Sequence, residues 1–190
     1  MARASTPHTR MGTALILRAL PALVAAAIIT FSRNHAPVVG LAVFVGFAFL
    51  LAGVLIFSIA AVPLEGVSKT MVGIQAIASV VAAAVAAVTI NSGLTALILV
   101  MSIWAGVTGL AELYAGYRST DKALSREWLT LGGFTALLAI VYAAIPMNDV
   151  YAVGLFGAYL AIIGIFQIIA GISLRADSPQ TTPSTNEVSS

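Results

Sequence analysis

Six long apolar runs, parted by short polar breaks, occupy nearly the whole chain: Gly12 to Phe31, Val38 to Val62, Lys69 to Ile90, Gly93 to Tyr117, Trp128 to Ile145 and Val150 to Leu174. An α-helix rises about 1.5 Å per residue, so about 20 mostly apolar residues cross roughly 30 Å of hydrocarbon. Each run is close to that length. Together they predict an all-α, polytopic membrane protein with six transmembrane helices. On this reading residues 12–175 form the transmembrane domain, preceded by a short N-terminal segment, 1–11. A tail over 176–190, rich in Ser, Thr and Pro, has nothing to bury and is expected to be disordered.

The breaks and the small residues repeat. Asn34, Asn91 and Asn148 each fall just past the end of an odd-numbered run, at successive spacings of 57 residues. The even runs each carry small residues seven apart: Gly46, Gly53 and Ala60; Ser102, Gly109 and Gly116; Gly157, Gly164 and Gly171. Seven residues is almost two helical turns, so each trio lies along one stripe where another helix can approach closely. The run from Lys69 adds Ser79, Ala83 and Ala87 as a further small-residue face. The chain therefore reads as three tandem helical hairpins of about 55 residues, all in one orientation. Such stripes serve equally within one chain or between copies, so a homo-oligomer is one of two arrangements they permit.

Composition narrows the function classes. Hydrophobic residues make up 60% of the chain and charged residues 8%, which excludes a water-soluble surface. The longest internal connection, Arg118 to Glu127, leaves no room for a soluble catalytic domain. The chain has no cysteine, so disulfides, thiolate metal sites and cysteine nucleophiles are excluded. A net charge of +2 on so few charges is a topology signal rather than a nucleic-acid signature. Arg3, Arg10, Arg18, Lys69, Arg118, Lys122, Arg126 and Arg175 fall on one side and only Arg33 on the other. By the excess of positive charge inside, both termini are expected in the cytoplasm of a cell with an inner membrane of this type. A cleaved signal peptide ending near Ala25-Ala26-Ala27 is the competing reading of the N-terminus. Arg18 interrupts its apolar core, and Ile28-Ile29 continues past the cleavage site as a span does.

Polar side chains within apolar helices are the default functional candidates, because each is costly in hydrocarbon. Arg18, Gln75, Glu112 and Gln167 lie at matching depth, roughly 9 Å from the expected cytoplasmic boundary. Ser58 and Thr135 fall in the same layer. One reading pairs Arg18 with Glu112, with Gln75 and Gln167 completing the hydrogen bonds, as an ion or proton site or a pH-responsive latch. The other takes the layer as a structural network that fixes helix register, with Arg18 partly snorkelling. At the outer face His35 and Asp149 are the candidate pH-responsive groups, His35 because its ordinary titration range covers mild acidification. The sequence holds no phosphate-binding loop, no His-Glu-x-x-His and no Ser beside a His. Catalytic, metal and cofactor residues are accordingly none, and the lipid bilayer is the only environment implied. Tyr114, Tyr117, Trp128, Tyr142 and Tyr151 read as interfacial aromatics, and Trp104 as packing.

The stretch from Trp104 through Glu112 to Arg118, and that from Gly157 through Gln167 to Arg175, resemble the HdeD-like acid-resistance membrane proteins. Hairpins of that family carry a Gly, a polar or acidic residue three positions later, then a basic helix end. Odd helices there tend to close on Asn-Pro; here Ile145-Pro146-Met147-Asn148 is an altered version and Asn91-Ser92-Gly93 lacks the proline. The first run, with Arg18 and Pro21, departs most. The resemblance implies a six-span inner-membrane protein linked in some bacteria to survival in acid, without a molecular activity to carry over. The expectation is a non-enzymatic membrane protein supporting acid or general stress tolerance. The alternative is a small transporter or channel subunit that uses the Arg18–Glu112 layer.

Overall fold

The structure, a computed structural model, describes residues 7–62 and 66–176, the side chains of residues 7 and 8 apart. Arg3, the start of the N-terminal segment and the tail from residue 177 onward lie outside the described residues. The chain forms α1 (Pro7–Phe31), α2 (Pro37–Ala61), α3 (Gly66–Val88), α4 (Gly93–Arg118), α5 (Lys122–Ala144) and α6 (Asp149–Ala176). Each is long and apolar enough to cross a membrane, and no strand occurs among the described residues.

Local chemistry sets the helix ends. Pro37 opens α2, where its missing N–H costs nothing. The Asn148 side chain accepts a hydrogen bond from the Tyr151 amide at 3.1 Å at the start of α6. Gly93, with φ of +76°, turns the chain into α4 through a conformation that side chains disfavour. Within α1, Pro21 removes the hydrogen bond to the Leu17 carbonyl, yet the helix runs on.

One boundary differs from the sequence expectation. Residues 122–127, expected in a loop, are the first turns of α5, and only residues 119–121 connect it to α4. The Asp121 carboxylate accepts from the Ala123 and Leu124 amides at 2.9 and 3.3 Å, capping α5. The Ser125 hydroxyl then donates to the Gly116 carbonyl at 2.7 Å, tying the two helix ends together. A consequence is that Trp128 lies a full turn deeper than a loop-flanking aromatic. It is buried, as is Tyr142, whose hydroxyl donates to the Ala152 carbonyl at 2.6 Å. Neither belongs to an interfacial belt, whereas Tyr114, Tyr117 and Tyr151 are exposed.

Connections this short force neighbouring helices to run antiparallel. The even helices α2, α4 and α6 touch one another, while the odd helices touch only even ones. The result is an inner triangle of even helices with an odd helix set at each side. The most extensive contacts are α4 with α5, α1 with α6 and α2 with α3, so each hairpin leans hardest on the next. The α1–α6 contact closes the ring, and the α5–α6 contact is its weakest adjacent seam.

The glycine stripes explain two of those three contacts. A methyl group on Gly109 would stand 2.5 Å from the Ala136 amide nitrogen, and one on Gly116 would meet Leu129. Along α6, Gly157 and Gly164 seat Ile29 and Leu23, and Gly171 lies against the Gly12 carbonyl. The third stripe behaves differently: nothing approaches Gly46 or Gly53, which face outward. The repeat shows why. Moving 57 residues back from the buried positions Met101, Trp104, Gly109 and Glu112 leads to Phe44, Phe47, Ala52 and Leu55, all buried. The α2 counterpart of Gly109 is Ala52, and the Gly53 stripe is turned by one residue away from the packed face.

At the centre of the triangle Phe44, Phe47, Trp104 and Phe156 pack edge to face, with ring centroids 5.4–5.8 Å apart across the helices. Trp104 is anchored by its indole N–H, which donates to the Ser79 hydroxyl at 3.1 Å. The outer faces carry large apolar side chains such as Ile77, Ile103, Leu110 and Ile140 exposed, a surface that lipid covers without cost.

Candidate functional site

The polar layer lies beside this aromatic cluster. Arg18 on α1 and Gln75 on α3 are 57 residues apart and occupy equivalent inward positions on their helices. Glu112 and Gln167 do the same on α4 and α6, 55 residues apart. One Nη of Arg18 donates to one oxygen of Glu112 at 2.6 Å, with only 8% and 3% of the two residues exposed. A charged residue so deep in apolar helices is kept there by its partner, and each half of this pair neutralises the other.

The second Glu112 oxygen accepts from the Thr135 hydroxyl at 3.3 Å. That hydroxyl also lies 2.9 Å from the Leu131 carbonyl and 2.9 Å from the Tyr159 hydroxyl. Thr135 has a single proton, drawn by the carbonyl and the carboxylate, so Tyr159 is the donor to its oxygen. The chain Arg18–Glu112–Thr135–Tyr159 thus joins α1, α4, α5 and α6, and adds a second polar link across the weak α5–α6 seam to that of Tyr142 with the Ala152 carbonyl. Gln75 brings in α3. These five residues and Gln167 line a cavity of about 20 Å³, whose remaining wall is apolar apart from Thr108 and includes Phe47, Leu55 and Trp104.

The placement differs among the residues singled out in the sequence. Arg18, Gln75, Glu112, Gln167 and Thr135 come together around that cavity. Ser58 does not: its hydroxyl donates to the Val54 carbonyl of its own helix at 2.7 Å. His35 and Asp149 lie at the opposite end of the helices, half-buried and exposed respectively, and no ion pair among the described residues joins them. Asp149 opens α6, where a negative charge favours the helix N-terminus.

One participant, and one buried carboxylate outside the cavity, were not singled out as such. Tyr159 sits eight residues before Gln167 on the same face of α6, with buried Ile163 midway, a spacing of two helical turns that marks it as inward. Glu127, read in sequence as the end of the connection that begins at Arg118, is a second buried carboxylate, 7% exposed and 3.8 Å from the Arg126 guanidinium. Among the described residues no group of three His, Cys, Asp or Glu side chains is placed to hold a metal ion.

Six apolar helices in three repeated hairpins, closed around a buried charge pair, define the class: a multi-pass helical membrane protein built from a short repeat. A family model described as "Short repeat of unknown function (DUF308)" matches residues 74–147 and 149–182, more than half of the chain. The chain belongs to this family. No curated protein and no solved structure matched the chain. Gln75, Glu112 and Gln167 fall within the matched segments, while Arg18 comes from α1, outside them.

Proposed function

We propose that this is a non-enzymatic protein of the bacterial inner membrane, with both termini in the cytoplasm, that supports acid or general stress tolerance as HdeD-like proteins are expected to do. The observation that carries this reading is the Arg18–Glu112 pair, which locks the first hairpin to the second inside a layer of zero formal charge. A polar layer closed off by an aromatic cluster suits a protein that must stay folded and sealed under stress better than one that turns over a substrate. The lipid bilayer is its environment. Of the three glycine stripes only that of α2 remains free for a homo-oligomer.

The test is acid survival of a deletion strain complemented with wild type, Glu112→Gln and His35→Ala at matched membrane expression. Deletion is expected to lower survival, wild type to restore it, and Glu112→Gln to fail. A deletion strain that survives acid and other membrane stresses as the parent does would remove the reading. The second reading, a small transporter or channel subunit, draws on the same polar cavity. It requires a flux that Glu112→Gln abolishes in a folded, inserted protein.

A further inference from the structure

Four buried polar atoms around the central cavity have no hydrogen-bond partner in the protein: Nε of Arg18, both carboxamide atoms of Gln75, and Oε1 of Gln167. All three residues are more than nine-tenths buried and line the same space. A buried polar group without a partner is costly, so four in one place call for a shared ligand. Its size is set by the cavity: about 20 Å³, against the roughly 10–15 Å³ that one water requires. Its charge is set by the wall. Arg18 repels a cation, Glu112 and the two amide oxygens repel an anion, and the pair itself is neutral. Its hydrogen bonding is set by the free atoms, which offer donors from Arg18 Nε and the Gln75 amide and acceptors from Gln75 and Gln167.

We propose that the centre of the bundle is a binding site for a single water molecule held by Arg18 Nε, the Gln75 carboxamide and Gln167 Oε1. A neutral molecule that both donates and accepts, of water size, satisfies all three constraints. The proposal stands whichever physiological role the protein has. Its consequence is that the charge pair is hydrated inside the apolar bundle. Such a water can take over a hydrogen bond when Arg18 and Glu112 separate, lowering the cost of parting them.

The test is radiolytic hydroxyl-radical labelling of the purified protein in lipid nanodiscs prepared in oxygen-18 water, with oxidation read residue by residue. Radicals born at an internal water modify the side chains beside it. Phe47 and Trp104 border the cavity, whereas Phe44 and Phe156 are as deeply buried but do not. Phe47 is expected to oxidise several-fold faster than Phe44 and Phe156. In the Gln75→Leu, Gln167→Leu double variant that excess should vanish. Equal rates at the three phenylalanines of the wild type would overturn the proposal without recourse to any variant. So would a crystal structure grown from lipid that shows the Gln75 carboxamide bonded directly to Arg18 or Gln167. A halide in the cavity, revealed by its anomalous signal after bromide soaking, would overturn it as well.

Discussion

At the scale of single residues the energetics turn on what is left behind when one partner is removed. Polar contacts between membrane helices average below about 1 kcal/mol, because the separated helices also find partners. A fully desolvated charge stripped of its counter-ion is a different case, costing about 3 kcal/mol or more. Arg18→Met leaves Glu112 with only the long Thr135 hydrogen bond, and Glu112→Met leaves Arg18 with none at its paired nitrogen. Each single variant is expected to lose about 3 kcal/mol in unfolding measured in a bilayer or bicelle. The double variant should recover most of that loss, since it removes both charges at once. Losses that simply add would show that the two side chains do not depend on one another. Much of this pair was legible in the sequence, because Arg18 and Glu112 lie at one depth and hydrocarbon leaves a charge few alternatives. Tyr159 was less legible, since an aromatic inside an apolar run carries no mark of the hydroxyl's role.

At the scale of helices, contact is governed by where side chains are absent. Gly109 faces the Ala136 backbone so closely that even a methyl group collides with it. Gly53 faces open surface and would gain helix propensity from the same change. Gly109→Ala is therefore expected to destabilise by about 1–3 kcal/mol, the usual cost of overpacking. Gly53→Ala should be neutral or stabilising by up to about 1 kcal/mol, measured in the same unfolding assay. A stabilised Gly109→Ala protein would place α5 elsewhere. Periodicity alone did not separate these two glycines. Gly46, Gly53 and Ala60 repeat every seven residues as the other trios do, but the packed face of α2 runs through Ala48, Ala52 and Leu55. What decides between adjacent stripes is the direction of the aromatic cluster, with Phe44 and Phe47 turned inward, and that is a property of three helices together. The ten-residue loop expected between α4 and α5 failed for a related reason. Lys122, Arg126 and Glu127 read as solvent-facing, whereas the Asp121 cap starts the helix and turns Glu127 inward.

At the scale of the whole molecule, orientation and permeability follow from the same arrangement. The absence of cysteine makes single-cysteine variants clean reporters. Thr120→Cys, in the α4–α5 connection, is expected to react with a membrane-impermeant thiol reagent only after the cytoplasmic side is exposed. Asn34→Cys, in the α1–α2 connection, should react from outside in intact cells. The reverse pattern would invert the topology and place the basic ends outside. Permeability is the sharper matter. The polar chain runs sideways through α1, α4, α5 and α6, not along the bundle axis, and the Phe44, Phe47, Trp104 and Phe156 rings fill the axis beside it. Among the described residues, a proton entering the layer finds no further carboxylate or histidine before the far end of the helices, where His35 and Asp149 join no ion pair with the layer. Purified protein in sealed vesicles is therefore expected to dissipate neither a pH gradient nor a potassium or sodium gradient beyond protein-free vesicles. Trapped pH-sensitive and ion-sensitive dyes provide the measurement. A leak present in wild type and lost in Glu112→Gln would restore the transporter reading, and the aromatic cluster would then be its gate. A leak that persists in Glu112→Gln would instead place the path at the α5–α6 seam, the weakest between adjacent helices, where Thr135 and Tyr159 supply a polar link.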